Sequence, residues 1–191
     1  MGIDPSPNAV RPPVFLGCFL AAAAMVVLIL FGLFAITFLE SGANDGKVRL
    51  DVSEAYAEGS IEFVGAENFF IVRLRDGTFV ALADLDQANR ANQAQRCRVN
   101  LADISDPSLG VSALALSAAM TADARGASTI LRETCNGAIY DISGARLNGD
   151  GANLDRYPIS LADDGHLLVD KSARQCSTRS GATVSAYRTC S

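Results

Sequence analysis

NQAQRCRV, residues Asn92 to Val99, and ETCNGAIYD, residues Glu133 to Asp141, decide how this chain is read. Each stretch holds one cysteine, Cys97 or Cys135, and each adjoins sequence that reads as strand. Just upstream of the first, FFIVRLRDGTFVALADLD sets Phe70, Val72 and Leu74 two residues apart, turns at Asp76-Gly77 and returns from Thr78 to Leu82. Alternation around an Asp-Gly pair is a strong short-range hairpin signal, because that pair accepts the turn's positive φ angles.

Together these stretches resemble a Rieske iron–sulfur domain, over a region from about Asp51 to Asp170. In that family the first box runs Cys-x-His-x-Gly-Cys and the second Cys-x-Cys-His-Gly. One Cys and one His of each box bind the irons, and the remaining two Cys pair as a disulfide. Laid on the first box, Asn92 stands at the ligand Cys, Ala94 at the ligand His, Arg96 at the Gly and Cys97 at the disulfide Cys. On the second, Glu133 stands at the ligand Cys, Asn136 at the ligand His and Cys135 at the disulfide Cys; Gly137, Tyr140 and Asp141 also fit. Downstream, YDISGARLNGDGANLDRYPISLADDGHLLVD resembles the short strands that close such a domain, most specifically in LDRYPI and GHLLVD. The family's Gly-Pro-rich loop over the cluster is matched by NGDGAN, Asn148 to Asn153, which has no proline.

The resemblance implies an all-β Rieske-like domain, with small antiparallel sheets and one short helical insertion, and a Cys97–Cys135 bridge. It also implies emptied cluster positions at Asn92, Ala94, Glu133 and Asn136. A [2Fe–2S] Rieske centre needs two thiolates on one iron and two imidazoles on the other. The chain has a single histidine, His166, in a stretch that reads as a hairpin turn. The expectation is therefore no [2Fe–2S] cofactor, no metal site and no catalytic residue. Asp163, Asp164 and His166 are neighbours in a turn, and Glu133 and Asp141 flank the second box, but nothing places any of them beside a nucleophile with a positioned base.

The N-terminal third carries the second signal. From Val14 to Leu39 there are 26 consecutive uncharged residues, closed by Glu40. At 1.5 Å per residue a helix of that length spans about 39 Å, enough for a hydrocarbon core of about 30 Å. The run is too long for the apolar region of a cleaved signal peptide. FLGC, Phe15 to Cys18, faintly resembles a lipoprotein box, but the apolar region follows the cysteine, so a buried thiol is expected at Cys18 rather than lipidation. Small residues at Gly17 and Ala21 have the spacing that lets helices approach closely in lipid. The expected layout is a tail over 1–13, a transmembrane helix over 14–39, a linker over 40–52, the Rieske-like domain over 53–171 and a C-terminal tail over 172–191. Between the boxes, Asp106 to Arg125 reads as one short amphipathic helix with Leu109, Leu116 and Met120 on its apolar side.

Cys176 and Cys190 lie in the polar tail and are candidates for a second bridge. Chain entropy sizes the two closed loops at roughly 4 kcal/mol for Cys97 to Cys135 and 3 kcal/mol for Cys176 to Cys190. Disulfides persist outside the reducing cytosol, which places the domain on the periplasmic or extracellular side of a bacterial inner membrane and the N-terminus in the cytoplasm. The spacing of the four cysteines is unlike a zinc module, and Cys97 and Cys135, far apart in sequence, read as a structural rather than a redox-active pair. A net charge of −5 and a pI near 4.8 argue against a nucleic-acid partner.

The expected function is that of a non-catalytic accessory subunit of a membrane electron-transfer complex, respiratory or photosynthetic. Candidate hosts are alternative complex III, a cytochrome bc-type complex or a reaction-centre complex, with the other subunits and the bilayer as partners. Two alternatives stand beside it. One is a redox subunit whose metal site is completed by a partner. The other is a free-standing extracytoplasmic binding module, with a pocket lined by Asn92, Arg96, Glu133 and Asn136.

Overall fold

The computed structural model describes residues 22–34, 46–90, 97–180 and 184–190. They belong to two units divided between Asn44 and Asp45. In the first, residues 22–34 form helix α1, whose large apolar side chains from Met25 to Phe31 are exposed. No described helix is long and apolar enough to cross a membrane. At 1.5 Å per residue α1 reaches about 20 Å, and it covers only the middle of the apolar run read as a span; residues 14–21 and 35–39, and the tail over 1–13, lie outside the described residues.

The second unit is built from antiparallel strands, the all-β architecture expected from the sequence. Its centre is a six-stranded sheet in the order β12-β11-β8-β4-β3-β2. These strands are β2 (Ile61–Val64), β3 (Phe69–Arg73), β4 (Phe79–Ala83), β8 (Arg156–Tyr157), β11 (Gln175–Ser180) and β12 (Val184–Thr189). The hairpin β3–β4 forms as its sequence predicts. Leu74 N–H donates to the Thr78 carbonyl at 2.8 Å, the Asp76 carboxylate accepts from Thr78 N–H at 2.9 Å, and Gly77 takes φ +84°. A side chain at that φ would strain the turn.

The two-residue alternation understates how this hairpin is used. Phe69 to Val72 are buried on both faces, because the sheet is covered on both. On one face Phe70, Val72, Leu74 and Leu82 join a core with Val99, Leu116, Ile130, Leu131, Ile139 and Tyr140. That face meets the sheet β5-β6-β7, formed by β5 (Val99–Asp103), β6 (Thr129–Glu133) and β7 (Ile139–Tyr140). On the other face Phe69, Ile71 and Ala81 pack with Tyr56, Leu167 and Val169. Here the cover is the sheet β1-β10-β9, formed by β1 (Lys47–Val52), β9 (Ile159–Leu161) and β10 (His166–Asp170).

β1 lies in the stretch read as linker, and β11 and β12 in the stretch read as tail, yet all three are strands of this unit. The linker reading missed β1 because Lys47, Arg49 and Asp51 face solvent between half-buried Val48, Leu50 and Val52. The insertion also differs from the single helix expected. It is a 3-10 turn over Pro107–Leu109, helix α2 over Ala113–Ala119 and a second 3-10 turn over Ala122–Ala124. Gly110 in the left-handed region ends the first piece, and the Ser112 hydroxyl caps α2 by accepting from Ala115 N–H at 3.3 Å. Leu109, Leu116 and Met120 still reach the core together.

One buried carboxylate joins distant parts of this unit. Asp155, whose side chain is fully buried, accepts from Arg90 at 2.7 Å and from Arg174 Nη2 at 2.6 Å and Nε at 2.9 Å. It also accepts from Ser177 N–H at 3.0 Å, and its own carbonyl receives Ala83 N–H at 2.9 Å. Replacing one partner of a buried ion pair leaves the other charges uncompensated. Asp155→Asn should lower unfolding free energy in urea by about 3–5 kcal/mol; a loss below about 1 kcal/mol would show that the two arginines find other acceptors.

Candidate functional site

The second box is the loop that follows β6. Glu133 ends that strand, and its N–H donates to the Ala138 carbonyl at 2.8 Å, closing a tight loop over residues 134–137. Cys135 is bridged to Cys97, with Cα atoms 5.4 Å apart. The β5–β6 register, Val99 opposite Glu133, brings the two cysteines together. Thr134 donates through both N–H and hydroxyl to the Arg98 carbonyl at 3.2 Å each, a second tie between the boxes. The pairing implied by the resemblance is therefore the one formed, and Cys176–Cys190 is a second bridge.

Glu133 and Asn136, the two described residues among those the resemblance places at cluster ligands, behave differently from each other. Glu133 is fully buried, and its carboxylate accepts the N–H of Cys135 at 2.7 Å and the N–H of Asn136. A buried carboxylate is tolerated where hydrogen bonds satisfy it, and here the loop's own backbone does so. Asn136 instead faces outward. Asn92, Ala94 and Arg96 lie outside the described residues. Of the pocket envisaged around Asn92, Arg96, Glu133 and Asn136, the described part has Glu133 fully buried and held by the loop's N–H groups while Asn136 is exposed.

A different cleft lies beside Asn136. It has a volume of about 270 Å³ and is lined by Asp86, Gln87, Asn136, Arg146, Asp150 and Gly151 among others. Its walls are the loop after β4, the tip of the second box and the glycine-rich NGDGAN loop. Asn148 of that loop is tied to the box twice, accepting Ile139 N–H at 2.7 Å and donating to the Gly137 carbonyl at 2.9 Å. Arg146 Nε donates to the Asn148 carbonyl at 2.7 Å, and the guanidinium lies 5.8 Å from the centre of the Tyr140 ring. Gly151 takes φ +145°, a backbone conformation that would strain any side chain.

Tyr140, fully buried, donates its hydroxyl to Asp86 at 3.4 Å, and Asp86 accepts from the backbone and side chain of Asn89 at 2.9 and 2.8 Å. Asp84 pairs with Arg98. Asp141, the other carboxylate of the second box, is a turn former. Its two oxygens accept from Thr121 N–H and hydroxyl at 2.9 and 2.8 Å, from Ser143 N–H and hydroxyl at 2.9 and 2.6 Å, and from Ala145 N–H at 3.1 Å.

His166 is the first residue of β10 rather than part of the turn, and its Nδ1 lies 2.7 Å from the Leu50 carbonyl. The turn before it carries Asp164, which pairs with Arg49; that hydrogen bond holds the Asp164 carboxyl below its ordinary value. Two groups of sulfur and carboxylate oxygen come within 4.8 Å, Cys97 with Glu133 and Cys135, and Asp155 with Cys176 and Cys190. In both, the sulfurs are spent in disulfides and offer no thiolate. The described donors thus do not supply the two thiolates and two imidazoles of a Rieske centre.

Sequence reasoning overlooked Asp86, Arg146, Asp155, Arg90 and Arg174. Asp155 lies in LDRYPI, but that stretch was read only as strand, and its arginine partners lie 65 and 19 residues away; only the glycines around Asp150 hinted at a special loop.

No protein-family profile matches the chain, and no curated protein does. Among solved structures, the chain is similar to a crystal structure described as the small subunit of an NADH-dependent nitrite reductase from Mycobacterium tuberculosis. The two share 14% identity over 64% of this chain and 92% of that one, with a TM-score of 0.33. A likeness of that size leaves fold and function to be argued from this chain's own residues.

Burial, then the charge of Asp86, raises the Tyr140 phenol well above its ordinary value of 10. A raised folded value means the associated stability is complete below about pH 10 and is lost as pH climbs past that point, where the unfolded phenol ionises first. Tyr140→Phe should flatten the alkaline limb of the stability curve above about pH 10. An unchanged limb in denaturant titrations would place the alkaline loss at other tyrosines.

Proposed function

We propose that this chain is a membrane-anchored, cluster-free Rieske-like protein that serves as a non-catalytic accessory subunit of a membrane electron-transfer complex. The observation that carries the reading is the state of Glu133. A carboxylate fills the ligand-cysteine position, is fully buried, and is engaged by the N–H groups of Cys135 and Asn136. The loop is thereby organised by the chain's own backbone and side chain. Support also comes from the bridge between Cys97 and Cys135, the pair the resemblance implies.

In this reading the apolar run from Val14 to Leu39 anchors the domain in a bacterial inner membrane, with the disulfide-bearing domain on the extracytoplasmic side. The subunit positions or stabilises its neighbours and carries no electrons itself. A second reading, a binding module, is favoured by one feature alone, the polar cleft of about 270 Å³ beside Asn136 and Arg146.

A mild-detergent pull-down of the intact chain from its native membrane, with mass spectrometry of the partners and iron and haem assays on the same sample, tests the proposal. Co-purification with haem or iron–sulfur subunits is expected, and the complex should keep its full cofactor content when this chain is deleted. Recovery of the chain alone would reject the accessory role and favour the binding module; iron bound to the isolated chain would reject the cluster-free reading.

A further inference from the structure

The two disulfides each lie against a buried carboxylate, and those carboxylates are in opposite electrical surroundings. The sulfurs of Cys97 and Cys135 lie within 4.8 Å of a Glu133 oxygen. Glu133 is held by backbone N–H groups, and no cation pairs with it among the described residues. The Sγ of Cys176 lies 3.8 Å from Asp155 Oδ2, but Asp155 is flanked by the guanidiniums of Arg90 and Arg174, so positive charge is in excess there.

Disulfide reduction is an attack by one sulfur anion that expels another. A fixed negative charge beside the bridge raises the energy of both anions, whereas nearby arginines lower it. We propose that these surroundings sort the two bridges: Cys176–Cys190 is a thiol-exchange site for dithiol reductants, while Glu133 keeps Cys97–Cys135 closed. The reading stands independently of the accessory role above.

The half-buried Cys190 is the sulfur that a thiolate reaches, since Cys176 is buried. The dithiol's sulfur bonds to Cys190 Sγ as the Sγ–Sγ bond breaks and its electron pair leaves on Cys176. The reductant's second thiol then displaces Cys190. The dithiol ends as a disulfide, and two electrons and two protons have passed to the two cysteines. The Cys176 thiol so formed stands where it can donate to Asp155. Solvent access alone would give the opposite order, because Cys135 is exposed and Cys190 is not fully so. Charge and access therefore make opposing predictions.

The test is limited reduction of the full-length chain in detergent with dithiothreitol, followed by maleimide labelling and peptide mass spectrometry. Cys176 and Cys190 should be labelled first, about tenfold faster than Cys97 and Cys135. With monothiols, positively charged cysteamine should attack Cys97–Cys135 faster than negatively charged mercaptopropionate. Glu133→Gln should erase that preference and speed reduction there by about tenfold, with Cys176–Cys190 unchanged. Opening of Cys97–Cys135 first in the native chain would overturn the proposal. So would a Glu133→Gln variant in which both thiols gain equally, because that is the mark of local opening rather than of charge. The order of opening and its response to thiol charge are read in the unsubstituted chain, so the test survives a variant that fails to fold.

Discussion

The pairing of Asp155 with Arg90 and Arg174 is the contact on which the rest of the strand-built unit depends. It is a carboxylate with no exposure, and removing it from water is tolerable only because two guanidiniums and a backbone N–H surround it. Each partner comes from a different stretch of chain. Arg90 belongs to the loop that leads toward the first box, Arg174 opens the C-terminal hairpin, and the Asp155 carbonyl holds the end of β4. One residue thus fixes the loop, the hairpin and the central sheet together.

The second organising device is the join of Cys97 to the loop after β6. In the resembling family the matching loops hold metal. Here the bridge and the Thr134 contacts with Arg98 tie the start of β5 to the loop after β6, and the buried carboxylate of Glu133 organises that loop through main-chain donors. A carboxylate can stand where a thiolate would because both are anions able to collect N–H groups at one focus. An N–H cradle responds to charge and reach rather than to the element that carries them, so the Glu133 carboxylate can organise the loop over residues 134–137.

Local chemistry was readable wherever neighbours in sequence settle the outcome. The Asp76-Gly77 turn, the strands on either side and the apolar trio of Leu109, Leu116 and Met120 all follow from residues a few positions apart. The Cys97–Cys135 pair, 38 residues apart, was instead what the family resemblance implied. Less was legible where alternation is shallow. β1 looked like linker because its partner, β10, lies over a hundred residues away. The hairpin β11–β12 looked like a loose tail because its residues are small and polar, and only its pairing with β8 and the Asp155 contact make it part of the sheet.

The sequence by itself determined the strand class and the hairpin turn, because residue type and short spacing carry that information. Tertiary structure alone decided that Glu133 is buried and collects two N–H groups, while Asn136 faces outward three residues later. It likewise decided that Asp155 rather than any boxed residue holds the unit together. Both results turn on which groups are brought close after folding and on how much water is excluded around them, and neither quantity is written in the order of residues along the chain.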